Sequence, residues 1–198
     1  DEMVNDNNKL FARGCKSEGV SFNKFELNMK DCIGCGFCTL GCTYDRKMGT
    51  MITYIQDAIQ NGVQVIHNCS SDKILFSGKN GSKTATKIDG KIVPADSKSL
   101  PNVHPSGPVS ISSKLIIVAA GSIDSPSLLF RSGHPDPAQT LGRGLIIHPS
   151  LPIIGVQNKR IVNYRGITGS MYSNHFYNSH GFYYECLFGH PIYAAGMI

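Results

Sequence analysis

No apolar run in this 198-residue chain approaches the roughly 20 residues that a bilayer span requires. The longest, such as Leu115–Ala120, stop at strand length. No secretory leader opens the chain. No dense block of basic residues occurs either. The 19 Lys and Arg outnumber 14 Asp and Glu, but they are scattered, and a net charge of +5 spread this way reads as a solvated surface. That argues against a nucleic-acid partner. Internal repeats and low-complexity tracts are lacking, and 41% hydrophobic with 17% charged residues excludes wholesale disorder. The evenly spread cysteines of a small secreted scaffold are missing too: four of the seven are bunched. These absences leave a cytoplasmic globular protein with reduced thiols and no membrane span, long enough for one domain or two small ones. The chain opens at Asp1 instead of Met and closes on the apolar "IYAAGMI", which reads as a segment of a longer or processed protein.

What is present begins with "CIGCGFCTLGC", Cys32 to Cys42. Its cadence, C-x2-C-x2-C-x3-C, is that of a 4Fe-4S ligand set, in which short loops let thiolates cap a cube and glycines relieve the crowded backbone. The candidate ligands are Cys32, Cys35, Cys38 and Cys42. Thr43 stands where bacterial ferredoxins place proline, no second cluster motif follows, and Cys15 offers a replacement ligand. A four-thiolate zinc site remains open, although zinc usually takes two separated C-x2-C knuckles. So do plain structural or redox thiols. Cys69 and Cys186 read as buried and inert.

Periodicity supplies the elements. Residues 2–13 form a candidate helix with Met3, Leu10 and Phe11 on one face. "TMITYIQDAIQNG" reads as an amphipathic helix on Ile52, Ile55 and Ile59, stopped by Asn61-Gly62. "VQVIHN" (63–68) reads as a strand, 73–77 and 83–88 as a hairpin, Asp89-Gly90 as a further turn, and 94–113 as a surface excursion. In "KLIIVAAGSIDSPSLLFRSG" (114–133), the run Leu115–Ala120 predicts a strand buried on both faces of a parallel sheet. A tight turn at Ala119-Ala120-Gly121 and a helix follow, with Ser125 as N-cap, Pro126 in the first turn and Gly133 at the C-cap. Open α/β sheets place ligands at such strand-to-helix junctions, where helix-start N–H groups favour an anion such as a pyrophosphate. After residue 150, "PIIGV", "RIVNY", "GSMYSNHF" and "GFYYECLF" predict a second, antiparallel sheet. The fold class is therefore α/β (α+β), with domains at 1–149 and 150–198.

Taken in order, "CGFCTLGCTYDRKMGTMITYIQDAIQNGVQVIHNC", "KLIIVAAGSIDSPSLLFRSG" and "LGRGLIIHP" resemble the middle of the glucose–methanol–choline (GMC) oxidoreductase family, in particular its FAD-dependent long-chain alcohol oxidases. The resemblance covers roughly 32–150, and "GFYYECLFGHP" extends it more weakly. It implies part of a Rossmann-like FAD-binding domain followed by the start of a substrate domain. It also implies that Cys69, Ser70 and Ser71 lie beside the adenine, that Ala119, Ala120 and Gly121 approach the adenosine and pyrophosphate, and that His148 and Pro149 open the crossing into the substrate domain. The family's GxGxxG fingerprint and its C-terminal histidine base are missing from the chain. His148, His175, His180 and His190 accordingly read as surface or structural, with His190 an outside candidate for the substrate cavity.

The expected activity is oxidation of a CH–OH group of a small-molecule alcohol, shared with the remaining segments of the same flavoprotein or a companion subunit. The catalytic base would lie outside this chain, and an iron–sulfur cluster would pass electrons to an acceptor. The alternative is an iron–sulfur electron-transfer module without flavin. Met171, Tyr172, Phe176, Tyr177, Phe182, Tyr183 and Tyr184 hint at an apolar substrate wall but equally suit plain core.

Overall fold

The structure is a computed structural model that describes residues 3–79, 83–95 and 104–188. The chain forms two compact units. One takes the chain up to Val63 together with the chain from Ile153 onward, and the other is Gln64–Pro152.

In the first unit, helix α1 runs Asp6–Ser17. It begins later than the periodicity predicts, because Asn5 supplies the cap: its Oδ1 accepts from Asn8 N at 2.8 Å and from Asn8 Nδ2 at 2.8 Å. Met3 precedes the helix, and the buried line is Val4, Asn5, Asn8 and Cys15. Asn5 Nδ2 donates to the carbonyls of Asn163 and Ile167, which satisfies an amide buried to 5% exposure. Strand β1 (Asn23–Lys24) pairs antiparallel with β5 (Met171–Ser173), which pairs antiparallel with β6 (Tyr184–Cys186). The expected second sheet is therefore present at "MYS" and "YEC", with an edge strand recruited from near the N-terminus. "PIIGV" and "RIVNY" form no strand, with Ile153, Ile154 and Val156 exposed. Short helix α4 (Tyr177–His180) ends at Gly181, φ +75°. Between Thr50 and Gln60 the helix is split: a 3₁₀ turn over Thr50–Ile52, then α2 over Tyr54–Gln60, stopped as predicted by Asn61 and Gly62, φ +86°.

In the second unit β2 (Cys69–Ser77), β3 (Thr84–Ile92) and β4 (Gly107–Ser112) form an antiparallel sheet in that order. The predicted hairpin is there, although the tip of its turn lies outside the described residues. Asp89-Gly90 is no turn. Both residues sit inside β3, paired with Lys73 and Ser71. Gly90 is required by close approach, since a Cβ there would lie 2.2 Å from the Ser70 carbonyl oxygen. The excursion read over 94–113 contains a strand, β4, whose alternation is hidden by its serines; residues 96–103 lie outside the described residues. No strand forms at 63–68, and Asn68 takes a left-handed φ of +52° just before β2 begins at Cys69.

Helix α3 (Gly121–Arg131) packs against β2 through Leu128, 6% exposed, beside Ile74, 2% exposed. It starts four residues before the cap that the sequence predicts. Ser125 lies within it, and its Oγ accepts from Ala120 N at 3.0 Å. The far end follows expectation. Gly133 adopts φ +66°, its N–H donates to the Phe130 carbonyl, and His134 N–H donates to the Leu129 carbonyl, a Schellman closure. The largest departure is Leu115–Ala120. It belongs to no strand or sheet among the described residues, and Leu115 and Ile117 are 72% and 80% exposed. A run this apolar needs strands on both sides, and all three strands of this unit are already spent on the antiparallel sheet.

Candidate functional site

The turn after Leu115–Ala120 keeps the small-residue character that makes it a candidate cofactor bed. Ala119, Ala120 and Gly121 are exposed. Gly121 has φ +81°, and a Cβ built there would meet nothing within 4 Å. The backbone at the head of α3 is thus bare, with helix-start N–H groups beside it. These features fit a dinucleotide phosphate lying against the main chain.

The other predicted FAD contacts lie elsewhere on the same unit. Cys69 (half-buried), Ser70 and Ser71 (exposed) open β2, opposite Ile92, Lys91 and Gly90. They sit at the tail of α3 and not at its head. Arg131 in the last turn reaches the Ser71 carbonyl with one guanidinium nitrogen and the Asp72 carbonyl with another, each at 3.3 Å. A third contact, to Ser127 Oγ at 2.7 Å, aims the side chain. The pairing register of β2 shifts between Ser71 and Lys73, which turns the Asp72 carbonyl out of the ladder and makes it available. Along the helix axis, Arg131 is about 15 Å from Gly121. The structure therefore ties Ser71 to one end of α3 and leaves the Ala-Ala-Gly turn at the other. His148 and Pro149 lie on an exposed stretch without regular structure after the "LGRG" turn. That turn is fastened by Asp136, which accepts from Thr140 N and Leu141 N at 3.0 Å each.

Sequence reading missed Arg131 and Ser132 as the residues that seat α3. Ser132 Oγ, in a residue 6% exposed, accepts from Ile74 N at 2.8 Å and donates to the Leu128 carbonyl at 2.6 Å. The available signal was "FRSG", a basic residue and a small hydroxyl just before a helix-ending glycine.

The cysteine loop occupies the first unit. A neck closes it: Met29 bridges Lys47, Lys30 N donates to the Arg46 carbonyl, and Met48 N donates to the Asn28 carbonyl. Its glycines allow backbone-to-backbone contact. A Cβ on Gly36 would lie 2.2 Å from the Tyr164 carbonyl oxygen, and Gly166 N donates to the Gly34 carbonyl at 2.6 Å. Cys32, Cys35, Cys38 and Cys42 are half-buried free thiols. Among the described residues no three His, Cys, Asp or Glu side chains come together as a metal-holding group. The thiols turn instead to local amides: Gly34 N–H reaches Cys32 Sγ at 3.4 Å, and Arg46 N–H reaches Cys42 Sγ at 3.3 Å. The backbone N–H groups of Lys47 and Arg46, with a smaller contribution from Tyr44, hold the Cys42 thiol below its ordinary pKa. The glycines here serve chain packing, and the C-x2-C-x2-C-x3-C spacing does not by itself converge the sulfurs. Cys15, the replacement ligand, is buried in α1. Its charge bears on Cys186, whose thiol is pushed up to about 11, mainly by burial.

The histidines behave structurally. His175 Nδ1 lies 3.3 Å from both the N and Oγ of Ser21. The rings of His175 and His180 pack on Phe176, which also stacks on Phe182 and meets the edge of Tyr184. Tyr172 stacks on Phe25 with centroids 4.6 Å apart. His190 lies outside the described residues.

The GMC oxidoreductase family, in its N-terminal domain, matches residues 2–150. The chain belongs to the GMC oxidoreductase family. It is similar to the long-chain-alcohol oxidase FAO1 of Arabidopsis thaliana, 29% identical over 142 residues, 72% of this chain and 18% of that protein. FAO3 of the same plant is 27% identical over 76% of this chain and 19% of its own length. An uncharacterized GMC-type oxidoreductase of Mycobacterium tuberculosis, MT0511/MT0512, is 26% identical over 91% of this chain and 26% of that protein. The chain thus spans between 18% and 26% of the length of these curated relatives. No solved structure matches. Among the described residues no helix is long and apolar enough to cross a membrane.

Proposed function

We propose that the chain is part of an FAD-dependent oxidoreductase that oxidises the CH–OH group of an alcohol, and that it contributes one side of the flavin bed. The observation that carries this reading is the bare backbone at Gly121, open on its Cβ side and flanked by Ala119 and Ala120 at the start of an eleven-residue helix. FAD would supply the hydride acceptor that no amino-acid side chain can provide. Ala119, Ala120 and Gly121 would lie along its adenosine and pyrophosphate, with the first N–H groups of α3 facing the phosphate charge. Cys69, Ser70 and Ser71 would flank the adenine, and His148 and Pro149 would lead toward the substrate. The plant relatives, long-chain-alcohol oxidases, point to a long-chain alcohol as the substrate class.

In this reading the exposed ribbon Leu115–Ala120 belongs to a Rossmann-like parallel sheet completed by other segments of the same flavoprotein or by a companion subunit. The catalytic base belongs to those segments as well. An iron–sulfur centre on Cys32, Cys35, Cys38 and Cys42, passing electrons to an acceptor, has only the spacing in its favour; the loop geometry gives it no support.

The test is the visible spectrum of the whole flavoprotein, this chain together with the segments that complete it, followed by anaerobic titration with a long-chain alcohol. Resolved flavin bands that bleach on substrate addition are expected. Replacing Gly121 with Val, which fills the open Cβ side and strains a backbone at φ +81°, should weaken FAD retention at least tenfold. A colourless protein that takes up no FAD, or a Gly121→Val variant that retains it fully, overturns the proposal.

A further inference from the structure

A cavity of about 810 Å³ lies on the first unit. Its rim carries Lys9, Arg13, Lys16, Lys24, Lys159 and Arg160. The one acidic side chain among the lining residues is Asp6, and its Oδ2 already accepts from Val162 N at 3.2 Å. The charges converge from three separate stretches of chain: α1, β1 and the segment before Ile161. On α1 the basic residues fall at 9, 13 and 16, the i, i+4, i+7 stripe of one helix face. Like charges at this spacing repel and weaken a helix, so the stripe is a local cost that a bound anion would relieve.

The floor is different in kind. Val4 and Met171 are buried there, and Ala12, Phe22 and Ile161 are half-buried. Lysine and arginine stems lie along apolar surface while their heads stay in water, which gives such a cavity an apolar bottom and a cationic lip. Its volume falls within the range of small-molecule sites. A single aromatic ring offers no sandwich for a nucleobase. A free inorganic anion would leave the apolar floor wet. A flat membrane surface does not fill a concavity.

We infer that this cavity binds one anionic amphiphile: an alkyl chain laid on the Val4–Met171 floor, with its carboxylate or phosphate head held by Lys9, Arg13 and Lys16. The site is independent of the flavin assignment, since none of its residues belongs to the proposed cofactor bed.

Calorimetric titration with dodecanoate, kept below its critical micelle concentration, tests it. Saturable binding with one site per chain is expected. Dodecanol, with the same tail and no charge, should bind at least tenfold more weakly, and so should inorganic phosphate, with charge and no tail. The triple variant Lys9→Gln/Arg13→Gln/Lys16→Gln should lose at least tenfold in dodecanoate affinity. Lys159→Gln, which lies off the helix, should lose severalfold even if the triple variant misfolds. Raising the salt should weaken dodecanoate binding and leave the residual dodecanol binding unchanged. Equal affinity for dodecanoate and dodecanol, phosphate binding as tight as dodecanoate, or unaltered binding in both variants overturns the inference. So does binding to phosphatidylglycerol vesicles with none to monomeric dodecanoate, which would make the patch a membrane-facing surface.

Discussion

At the scale of single residues the seven cysteines separate by environment. Cys42 is exposed enough to react, and the amides of Lys47, Arg46 and Tyr44 favour its thiolate. Native alkylation with iodoacetamide near neutral pH should label Cys42 before the other six, with a rate that rises at lower pH than that of an ordinary thiol. Peptide mass spectrometry over a time course reads this directly, and uniform labelling of the loop would contradict it. Cys186 stands at the opposite extreme. Burial, and then the charge of Cys15, push its thiol to about 11. Because the folded value lies above the unfolded one, the fold keeps this proton after the unfolded chain has lost it. Stability from this group is intact below the unfolded thiol's pKa and is lost as pH rises through that value towards about 11. The melting temperature should fall across this alkaline window, and Cys186→Ala should flatten the fall while lowering the starting value.

At the scale of elements, α3 shows how far sequence reasoning reaches. Its closing turn was legible because Gly133 meets a purely local demand, a left-handed residue that completes the Schellman bonds. Its opening was misread because Ser125-Pro126 looks like a cap and first turn, whereas Gly121 allows the chain to enter the helix a turn earlier. The same contrast holds for β3 and β4. Asp89-Gly90 has turn chemistry, yet Gly90 is there to let Ser70 approach, and only the fold of the hairpin reveals that. In the cysteine loop the spacing was plain, but nothing in it discloses that Gly34 and Gly36 press against 164–166. Ser132 provides the quantitative check on the seating of α3. Ser132→Ala removes the acceptor of the buried Ile74 N–H and should cost about 1–3 kcal/mol in chemical denaturation. A change near zero would mean that the β2–α3 contact rests on Leu128 and Arg131.

At the scale of the whole molecule the salient quantity is uncovered apolar surface. Leu115, Ile117, Ile146, Leu151 and Val156 are between 72% and 92% exposed. Monomeric proteins rarely leave this much apolar side chain in water. The chain should therefore bind a hydrophobic dye such as ANS strongly and associate as its concentration rises, measurable by static light scattering. Replacing Ile146 and Leu151 with Lys should reduce both signals, and a dilute-to-concentrated series without any rise in mass would count against this expectation. Helix α3 carries the proposed flavin bed at its head. Its tail is bolted to β2 by Arg131 and Ser132, whereas at its head a Cβ on Gly121 would meet nothing within 4 Å. It is a cantilever: loosening the bolt moves the tip furthest, so Arg131→Ala, a residue touching no proposed ligand, should blur the placement of Gly121 more than any substitution midway along the helix.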